Sequence, residues 1–266
     1  MTKKASITAV GHYLPETILS NAELEKTLDT TDDWIRSRTG IIERRVVSKD
    51  EATSHMSINS AKLILEKREL SASDIDVIIV ATVTPDMFFP STAALVQNAI
   101  GAKNAWAFDL NAACSGFIFS LETAAGLIAT GKHEKVLVIG GDTMTSVLDY
   151  EDRSTCVLFG DGAGATLLEA TNGEDGIIDS ILYTDGSGAN KLYIPGGGSR
   201  QPASRKTVDQ RLHYVKQDGR EVYKSAVRGM TDASENILKR NGISAKDLKL
   251  FIPHQANKRI IEASAE

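Results

Sequence analysis

Short runs rich in β-branched residues alternate along the chain with longer stretches of helical period. The runs with strand character are residues 76–82, 106–110, 136–139 and 248–252. Between the second and third runs, apolar residues recur at positions that share one helix face: Phe117, Leu121, Ala124, Ala125 and Ile128. We expect that helix to lie against the sheet. The alternation predicts an α/β protein whose strands are largely buried.

A short sequence occurs twice in the chain. Residues 71–80 (SASDIDVIIV) resemble residues 244–253 (SAKDLKLFIP), at an offset of 173 residues (244 minus 71). Each copy follows a predicted helix, over 57–67 and 221–240, and opens a predicted strand. The repeat indicates two related α/β halves. The alternative is that any junction between a helix and a strand selects such residues.

The repeat also predicts where the halves divide. We place them at residues 1–172 and 173–266. At the same offset, Glu266 corresponds to residue 93, so counterparts of residues 94–170 are absent from the second half. Missing strands would expose the apolar faces of their neighbours. We therefore expect an incomplete second half and a chain that lacks a C-terminal segment.

Composition narrows the class of protein. The chain has 266 residues, of which 42% are hydrophobic and 24% charged, as in an ordinary globular protein. The net charge of −5 argues against a generally basic, nucleic-acid-binding surface. Apolar runs such as residues 77–81 are too short to span a bilayer, and no continuous apolar stretch follows the charged N-terminus. With two cysteines in the chain, we expect a reducing, cytoplasmic location.

Cys114 is the first candidate for chemistry. It lies in the segment DLNAACSGF, between a short apolar strand and an apolar-faced helix. This placement puts its sulfur at a helix N-terminus, where unpaired N–H groups and the helix dipole favour thiolate over thiol. The small neighbouring residues permit a sharp turn that resembles a nucleophile elbow. The alternative is a buried structural cysteine, which is the interpretation that we give to Cys156.

His254 is the second candidate, because it directly follows the predicted strand that ends at Pro253. Ligands bind at the ends of strands in α/β sheets, and histidine can donate a hydrogen bond near neutral pH. The alternative is an ordinary surface or core histidine. No group of histidines and cysteines has the spacing of metal ligands, so no metal is expected. The glycine-rich run from Gly160 to Ala165 precedes a strand and predicts tight backbone packing instead of a phosphate loop.

Four motifs in order give the chain a specific resemblance. They are TTDDWIRSRTGI at residues 30–41, DLNAACSG at 109–116, FGDGAGA at 159–165 and PHQAN at 253–257. Together they resemble β-ketoacyl-acyl carrier protein synthase III over essentially the whole chain. The resemblance implies a thiolase fold, in which two duplicated halves form a five-layer αβαβα arrangement. It also implies a homodimer that uses a coenzyme A thioester as substrate and needs no cofactor.

The resemblance assigns the catalytic roles. Cys114 takes an acetyl group from acetyl-CoA, and its own backbone N–H helps to form the oxyanion hole. His254 acts when malonyl-acyl carrier protein loses carbon dioxide and its enolate attacks the Cys114 thioester. The family's catalytic asparagine has no match, because it follows the last residue of this sequence; Asn257 belongs to the histidine motif instead. We therefore expect this chain to condense poorly.

The resemblance also implies binding residues. Coenzyme A contacts are implied for Thr30, Trp34, Arg38, Arg153, Gly219, Tyr223, Ala256 and Asn257. Trp34 and Arg153 would hold the adenine between them, since aromatic and guanidinium planes stack on a base. Without the resemblance, Trp34 would be a packing aromatic. Phe89 matches a residue that reaches across the dimer and limits the length of the acyl chain.

A basic stripe predicts where a carrier protein docks. Its members are Arg220, Lys224 and Arg228 on a predicted helix, with Lys258 and Arg259 after the histidine motif. These cations suit an acidic carrier protein, and the alternative is a solvated helix face.

The function that we expect is the decarboxylative condensation of acetyl-CoA, or another short acyl-CoA, with malonyl-acyl carrier protein, which initiates fatty-acid synthesis. Two alternatives stay open at this point. One is a related synthase of specialised metabolism, and the other is a noncatalytic fragment that only binds.

Overall fold

The computed structural model describes residues 3–173 and 175–265, with strands and helices alternating along the chain. The strands are β1 (Lys4–Tyr13), β2 (Thr17–Ser20), β3 (Glu43–Val46), β4 (Val77–Ala81), β5 (Trp106–Leu110), β6 (Lys135–Thr143), β7 (Asp161–Thr171), β8 (Leu192–Tyr193) and β9 (Lys216–Gln217). The helices are α1 (Asn21–Leu24), α2 (Asp32–Thr39), α3 (Thr53–Arg68), α4 (Thr92–Ile100), α5 (Gly116–Ala129), α6 (Arg153–Cys156), α7 (Arg205–Asp209), α8 (Gly219–Asn241) and α9 (Lys258–Ala265). The predicted α/β class is confirmed.

The chain forms two compact units that interleave in sequence. The first contains the residues up to Thr17, Arg45–Thr143 and Asp161–Ser180, and the second contains Ile18–Arg44, Met144–Gly160 and the residues from Ile181 onward. The duplication into residues 1–172 and 173–266 stays a prediction. Within the described ranges, no helix is both long and apolar enough to cross a membrane.

The first unit is built on a five-stranded sheet in the order β1-β7-β6-β4-β5. Strand β4, which lies between β6 and the edge strand β5, is buried at every position and runs parallel to both of them. Alternate β4 side chains point to opposite faces. Ile78 and Val80 pack in the cluster that includes α3 and α4, whereas Val77 and Ile79 pack in the cluster that includes α5. The helix predicted to cover the sheet is therefore confirmed as α5.

The two copies of the repeated sequence begin alike and then diverge. Ser71 and Ser244 each cap a 3-10 helix, Ala72–Asp74 and Ala245–Asp247, with the serine side chain accepting a backbone N–H. After the first copy the chain enters β4, but residues 248–252 form no strand, so that prediction is wrong. A strand needs neighbours to satisfy its backbone groups. Strand β4 has such neighbours in β5 and β6, whereas residues 248–252 pair with no strand within the described ranges.

The unpaired segment at residues 248–252 exposes apolar side chains to solvent. Leu250 is 72% exposed and Ile252 is 78% exposed. Helix α8, which precedes this segment, contains no buried residue.

The glycine-rich run from Gly160 to Ala165 also differs from the prediction. Most of it lies within β7 and not before the strand, a Cβ at Gly164 would meet nothing within 4 Å, and one at Gly162 would make only an ordinary contact with Leu14 at 3.4 Å. The predicted tight packing occurs instead at Gly11, where a Cβ would lie 2.4 Å from the Ser60 carbonyl oxygen. Strand β1 therefore packs directly on the backbone of α3.

A buried carboxylate anchors a loop of the second unit. Asp149 accepts hydrogen bonds from Arg211, one of them from Nε at 3.0 Å, and lies 3.8 Å from Lys216 Nζ. The hydrogen bond from Arg211 is the main reason that the pKa of Asp149 lies below its ordinary value. The ionised carboxylate is thus favoured by folding.

This anchor predicts an acid-sensitive contribution to stability. Because the folded-state pKa of Asp149 is lowered, its contribution is fully present above the ordinary carboxyl pKa and is lost as the pH falls through the folded-state value. We expect Asp149→Asn to lower the urea midpoint at pH 7 and to flatten its fall towards acid pH. Glu151→Gln, which changes the exposed partner of the same arginine, serves as control. Equal pH profiles for wild type and Asp149→Asn would contradict the assignment.

Candidate active site

Cys114 lies on a sharp turn at the end of a strand. After β5 ends at Leu110, a 3-10 helix (Ala113–Ser115) leads directly into α5. Ala113 has a φ of +46°, a left-handed conformation that costs an alanine about 1–2 kcal/mol. Cys114 itself is exposed, whereas Cys156 is buried. The structure therefore places an accessible thiol ahead of a helix N-terminus, as the sequence indicated.

The acidity of this thiol differs from the expectation. Surrounding protein displaces water from the sulfur even though the residue is exposed, and this desolvation raises the pKa of Cys114. The negative charge of Asp142 raises it further, and a backbone N–H lowers it by less. The prediction that the helix terminus makes a thiolate is wrong, because desolvation and a neighbouring carboxylate outweigh the backbone donor.

Asp142 was not found from the sequence, yet it is fixed beside the site. It lies near the end of β6, and its Oδ1 accepts hydrogen bonds from Thr82 Oγ1 at 2.9 Å, Val83 N at 2.8 Å and Thr84 Oγ1 at 3.0 Å. These donors follow β4, the neighbour of β6 in the sheet. An acidic residue at the end of a strand in the same sheet was the available signal, although β6 is separated by β4 from β5, the strand that precedes Cys114.

Removing the charge of Asp142 should make Cys114 more acidic. We expect Asp142→Asn to lower the pKa of the thiol, because it removes a nearby negative charge and retains an oxygen that accepts hydrogen bonds. The pH dependence of Cys114 alkylation by iodoacetamide measures this shift. Asp86→Asn is a matched control, since Asp86 also accepts a backbone N–H and a hydroxyl, both from Ser54. Identical alkylation profiles for wild type and Asp142→Asn would refute the electrostatic role.

His254 belongs to the second unit and lies in a turn before α9. Its carbonyl accepts the N–H of Ala256 at 2.9 Å, and Gln255 Nε2 donates to the Pro253 carbonyl at 3.0 Å. Desolvation lowers the pKa of His254, so the imidazole is neutral at pH 7. It can therefore donate a hydrogen bond without carrying a charge.

The residues predicted to hold adenine are close together in the second unit. The guanidinium carbon of Arg153, at the start of α6, lies 5.4 Å from the centroid of the Trp34 ring on α2. Arg153 also contacts the Asp29 carbonyl and lies 3.5 Å from its carboxylate. Thr31 caps α2 by accepting the N–H of Trp34 at 3.1 Å. Both planar groups are thus held at helix ends.

The other predicted coenzyme A residues lie around this unit's helices. Arg38 is exposed on α2, and the Thr30 hydroxyl is buried without a hydrogen-bond partner among the described residues. Gly219 begins α8, which also carries Tyr223. Ala256 and Asn257 precede α9, and Asn257 Oδ1 accepts the N–H of Ile260 at 3.0 Å. The side-chain oxygen of Asn257 therefore caps a helix.

The predicted docking cations lie on α8 and α9. Lys224 pairs with Glu221 at 2.9 Å and Lys258 with Glu262 at 3.6 Å, within their own helices. The Arg259 guanidinium carbon lies 5.6 Å from the Tyr223 ring centroid, which joins the docking set to the predicted coenzyme A channel. Exposed ion pairs of this kind contribute little to stability, so an acidic partner can exchange them.

Phe89 lies in the first unit, in the loop before α4. Phe88 and Phe89 are 85% and 84% exposed, an unusual state for two adjacent aromatic residues. Asp109, at the end of β5, accepts the N–H groups of Thr92 and Ala93 at 2.8 and 2.7 Å. This carboxylate ties the segment before Cys114 to the start of α4.

Comparison with known proteins identifies the family. The family model described as 3-oxoacyl-[acyl-carrier-protein (ACP)] synthase III matches residues 108–186. The β-ketoacyl-[acyl-carrier-protein] synthase III of Chlorobium chlorochromatii is 57% identical over 99% of this chain and 81% of its own length.

Solved structures of synthase III proteins are also similar to this chain. The Aquifex aeolicus synthase III is 42% identical with a TM-score of 0.87, over 99% of this chain and 80% of its own. The Thermus thermophilus synthase III is 41% identical with a TM-score of 0.90, over 97% of this chain and 79% of its own. These similarities confirm the thiolase fold. The chain belongs to the β-ketoacyl-[acyl-carrier-protein] synthase III family.

Proposed function

We propose that this chain condenses acetyl-CoA, or another short acyl-CoA, with malonyl-acyl carrier protein to give a 3-oxoacyl-acyl carrier protein, the initiating step of fatty-acid synthesis. The observation that carries the proposal is the setting of Cys114, an accessible thiol on a strained turn ahead of α5 in a chain of this family. The two alternatives, a synthase of specialised metabolism and a noncatalytic fragment, gain no support from relatives at this identity.

In the first half-reaction, Cys114 Sγ bonds to the acyl carbonyl carbon and the carbon–sulfur bond to coenzyme A breaks. The thiol proton leaves with the coenzyme A sulfur. The Cys114 N–H stabilises the oxyanion that forms during transfer. Because the raised pKa of Cys114 keeps the free thiol protonated near neutral pH, proton loss accompanies the attack instead of preceding it.

In the second half-reaction, malonyl-acyl carrier protein loses carbon dioxide and its enolate carbon attacks the Cys114 thioester. The Cys114 sulfur leaves and takes up a proton. Negative charge grows on the malonyl thioester oxygen as carbon dioxide departs, so the N–H of His254 stabilises this transition state more than the ground state. The lowered pKa of His254 supports this role, because it keeps the imidazole neutral and able to donate.

We assign coenzyme A binding to Trp34 and Arg153 of the second unit and to the residues around them. Trp34 and Arg153 would stack on the adenine, and Thr30 and Arg38 lie on or beside α2. Gly219, Tyr223, Ala256 and Asn257 would line the pantetheine arm. No further cofactor is needed for these steps.

We assign the carrier protein to Arg220, Lys224, Lys258 and Arg259, whose charges suit an acidic partner. We further infer a cytoplasmic homodimer. Its support is the position of β5 at the edge of the sheet and the exposure of Phe89, which a second copy would cover. Phe89 would then bound the acyl pocket of the partner.

The test is direct detection of the product. The chain is incubated with malonyl-acyl carrier protein and acetyl-, isobutyryl- or longer acyl-CoA, and the carrier protein is analysed by intact mass. We expect acetoacetyl-acyl carrier protein and a preference for short primers. A preference for long primers would favour specialised metabolism, and absence of product from a folded chain that binds carrier protein would favour the noncatalytic alternative.

A further inference from the structure

Gly40 closes α2 at an unusually tight contact. Its φ is +76°, and its N–H donates to the Arg36 carbonyl at 2.8 Å, a left-handed helix cap. A Cβ at this position would lie 2.8 Å from Lys258 Cβ and 3.4 Å from Lys258 Cδ. A side chain on residue 40 therefore cannot share this space with Lys258.

Lys258, the residue that Gly40 contacts, is the first residue of α9 and is close to His254 in sequence. Asn257 caps α9 through its Oδ1, and its carbonyl accepts the N–H of Ile261 at 3.1 Å. The short turn before it is closed by the hydrogen bond from Ala256 to the His254 carbonyl. Ile260 is buried on α9. A displaced Lys258 would therefore carry the His254 turn with it.

The same helix serves the predicted adenine site. Trp34 lies on α2, and Gly40 caps its C-terminus. This helix of eight residues therefore connects the Trp34 ring, which stacks on Arg153, with the contact between Gly40 and α9. This arrangement explains why the motif at residues 30–41 contains Gly40, a residue to which neither catalysis nor coenzyme A binding assigns a role.

We propose that Gly40 is a positioning residue: its lack of a side chain lets α2 pack on Lys258, and this contact places the His254 imidazole for the condensation step. The inference rests on the proposed role of His254 and deepens it.

The test compares Gly40→Ala with Gly101→Ala. Gly101 caps α4 with the same φ of +76°, but a Cβ there would meet nothing within 4 Å. Both variants place an alanine in the left-handed region of φ, and only Gly40→Ala also brings a Cβ into collision with Lys258. We expect Gly40→Ala to keep acetylation of Cys114 and to lose about 10- to 100-fold in kcat for condensation, with little change in KM for malonyl-acyl carrier protein. Gly101→Ala should stay close to wild type.

A second readout does not depend on activity. With labelled histidine, NMR follows the titration of His254, whose signal is identified by its loss in His254→Gln. Wild type and Gly101→Ala should titrate below the ordinary histidine pKa, since desolvation by the surrounding protein lowers the pKa of His254, and Gly40→Ala should move back towards that value. If the wild-type chain makes no condensation product, the proposed function fails, and this titration still decides the positioning role.

A compensating variant covers the case in which Gly40→Ala does not fold. Gly40→Ala/Lys258→Gly removes the second partner of the collision and should recover the folding, His254 titration and kcat of Lys258→Gly. A double variant as impaired as Gly40→Ala would overturn the proposal. So would Gly40→Ala and Gly101→Ala variants with equal kcat and equal His254 titration.

Discussion

Replacing Cys114 with alanine is expected to abolish acylation of the chain by acetyl-CoA. No other group forms the covalent thioester in the proposed reaction, so condensation should fall by about a thousandfold or more. Intact mass spectrometry after incubation with acetyl-CoA measures the loss of the acyl adduct. The substitution adds no bulk to the turn that contains Ala113, so the fold should be retained.

Cys156→Ala is the matched control, because it removes the other cysteine from a buried position in the second unit. This control should accept an acetyl group as wild type does. Acetylation of Cys114→Ala, or loss of acetylation in a folded Cys156→Ala, would contradict the assignment of the nucleophile.

Replacing His254 with alanine is expected to separate the two half-reactions. Acetylation of Cys114 should persist, since the histidine is assigned only to the malonyl thioester. Condensation should fall about a hundred- to a thousandfold, the usual cost of removing one donor to a developing oxyanion. Single-turnover measurements, in which malonyl-acyl carrier protein is added to the acetylated chain, give the condensation rate directly.

His12→Ala is the control for the second prediction, because His12 is exposed on β1 in the first unit. It should condense at the wild-type rate. A His254→Ala chain that condensed normally, or one that lost acetylation and condensation equally, would exclude the proposed role.

The strands show how far local sequence can predict this fold. Residues 76–82 and 248–252 have similar apolar patterns, and Ser71 and Ser244 cap equivalent 3-10 helices before them. The first run becomes β4 because β5 and β6 satisfy its backbone on both sides. The second forms no strand, since pairing is a property of neighbours that the run itself does not encode.

In the functional site too, local sequence predicts some features, and contacts between distant residues set the others. The turn at Cys114 follows from small residues between a strand and a helix. The raised pKa of its thiol comes first from desolvation and then from the charge of Asp142, and only the folded sheet brings these surroundings together. Likewise, Trp34 and Arg153 are more than a hundred residues apart, and the family resemblance, not any local pattern, indicated that they meet. The contact between Gly40 and Lys258 had no signal beyond the glycine itself.

A pulse-chase experiment shows whether Cys114 carries the acyl group between the two substrates. The chain is loaded with radiolabelled acetyl-CoA and freed of excess label. One portion is digested to locate the label, and the other receives malonyl-acyl carrier protein. We expect label on the Cys114 peptide and its transfer to the carrier protein as acetoacetyl thioester. Label on another peptide, or a Cys114 adduct that malonyl-acyl carrier protein does not discharge, would contradict it.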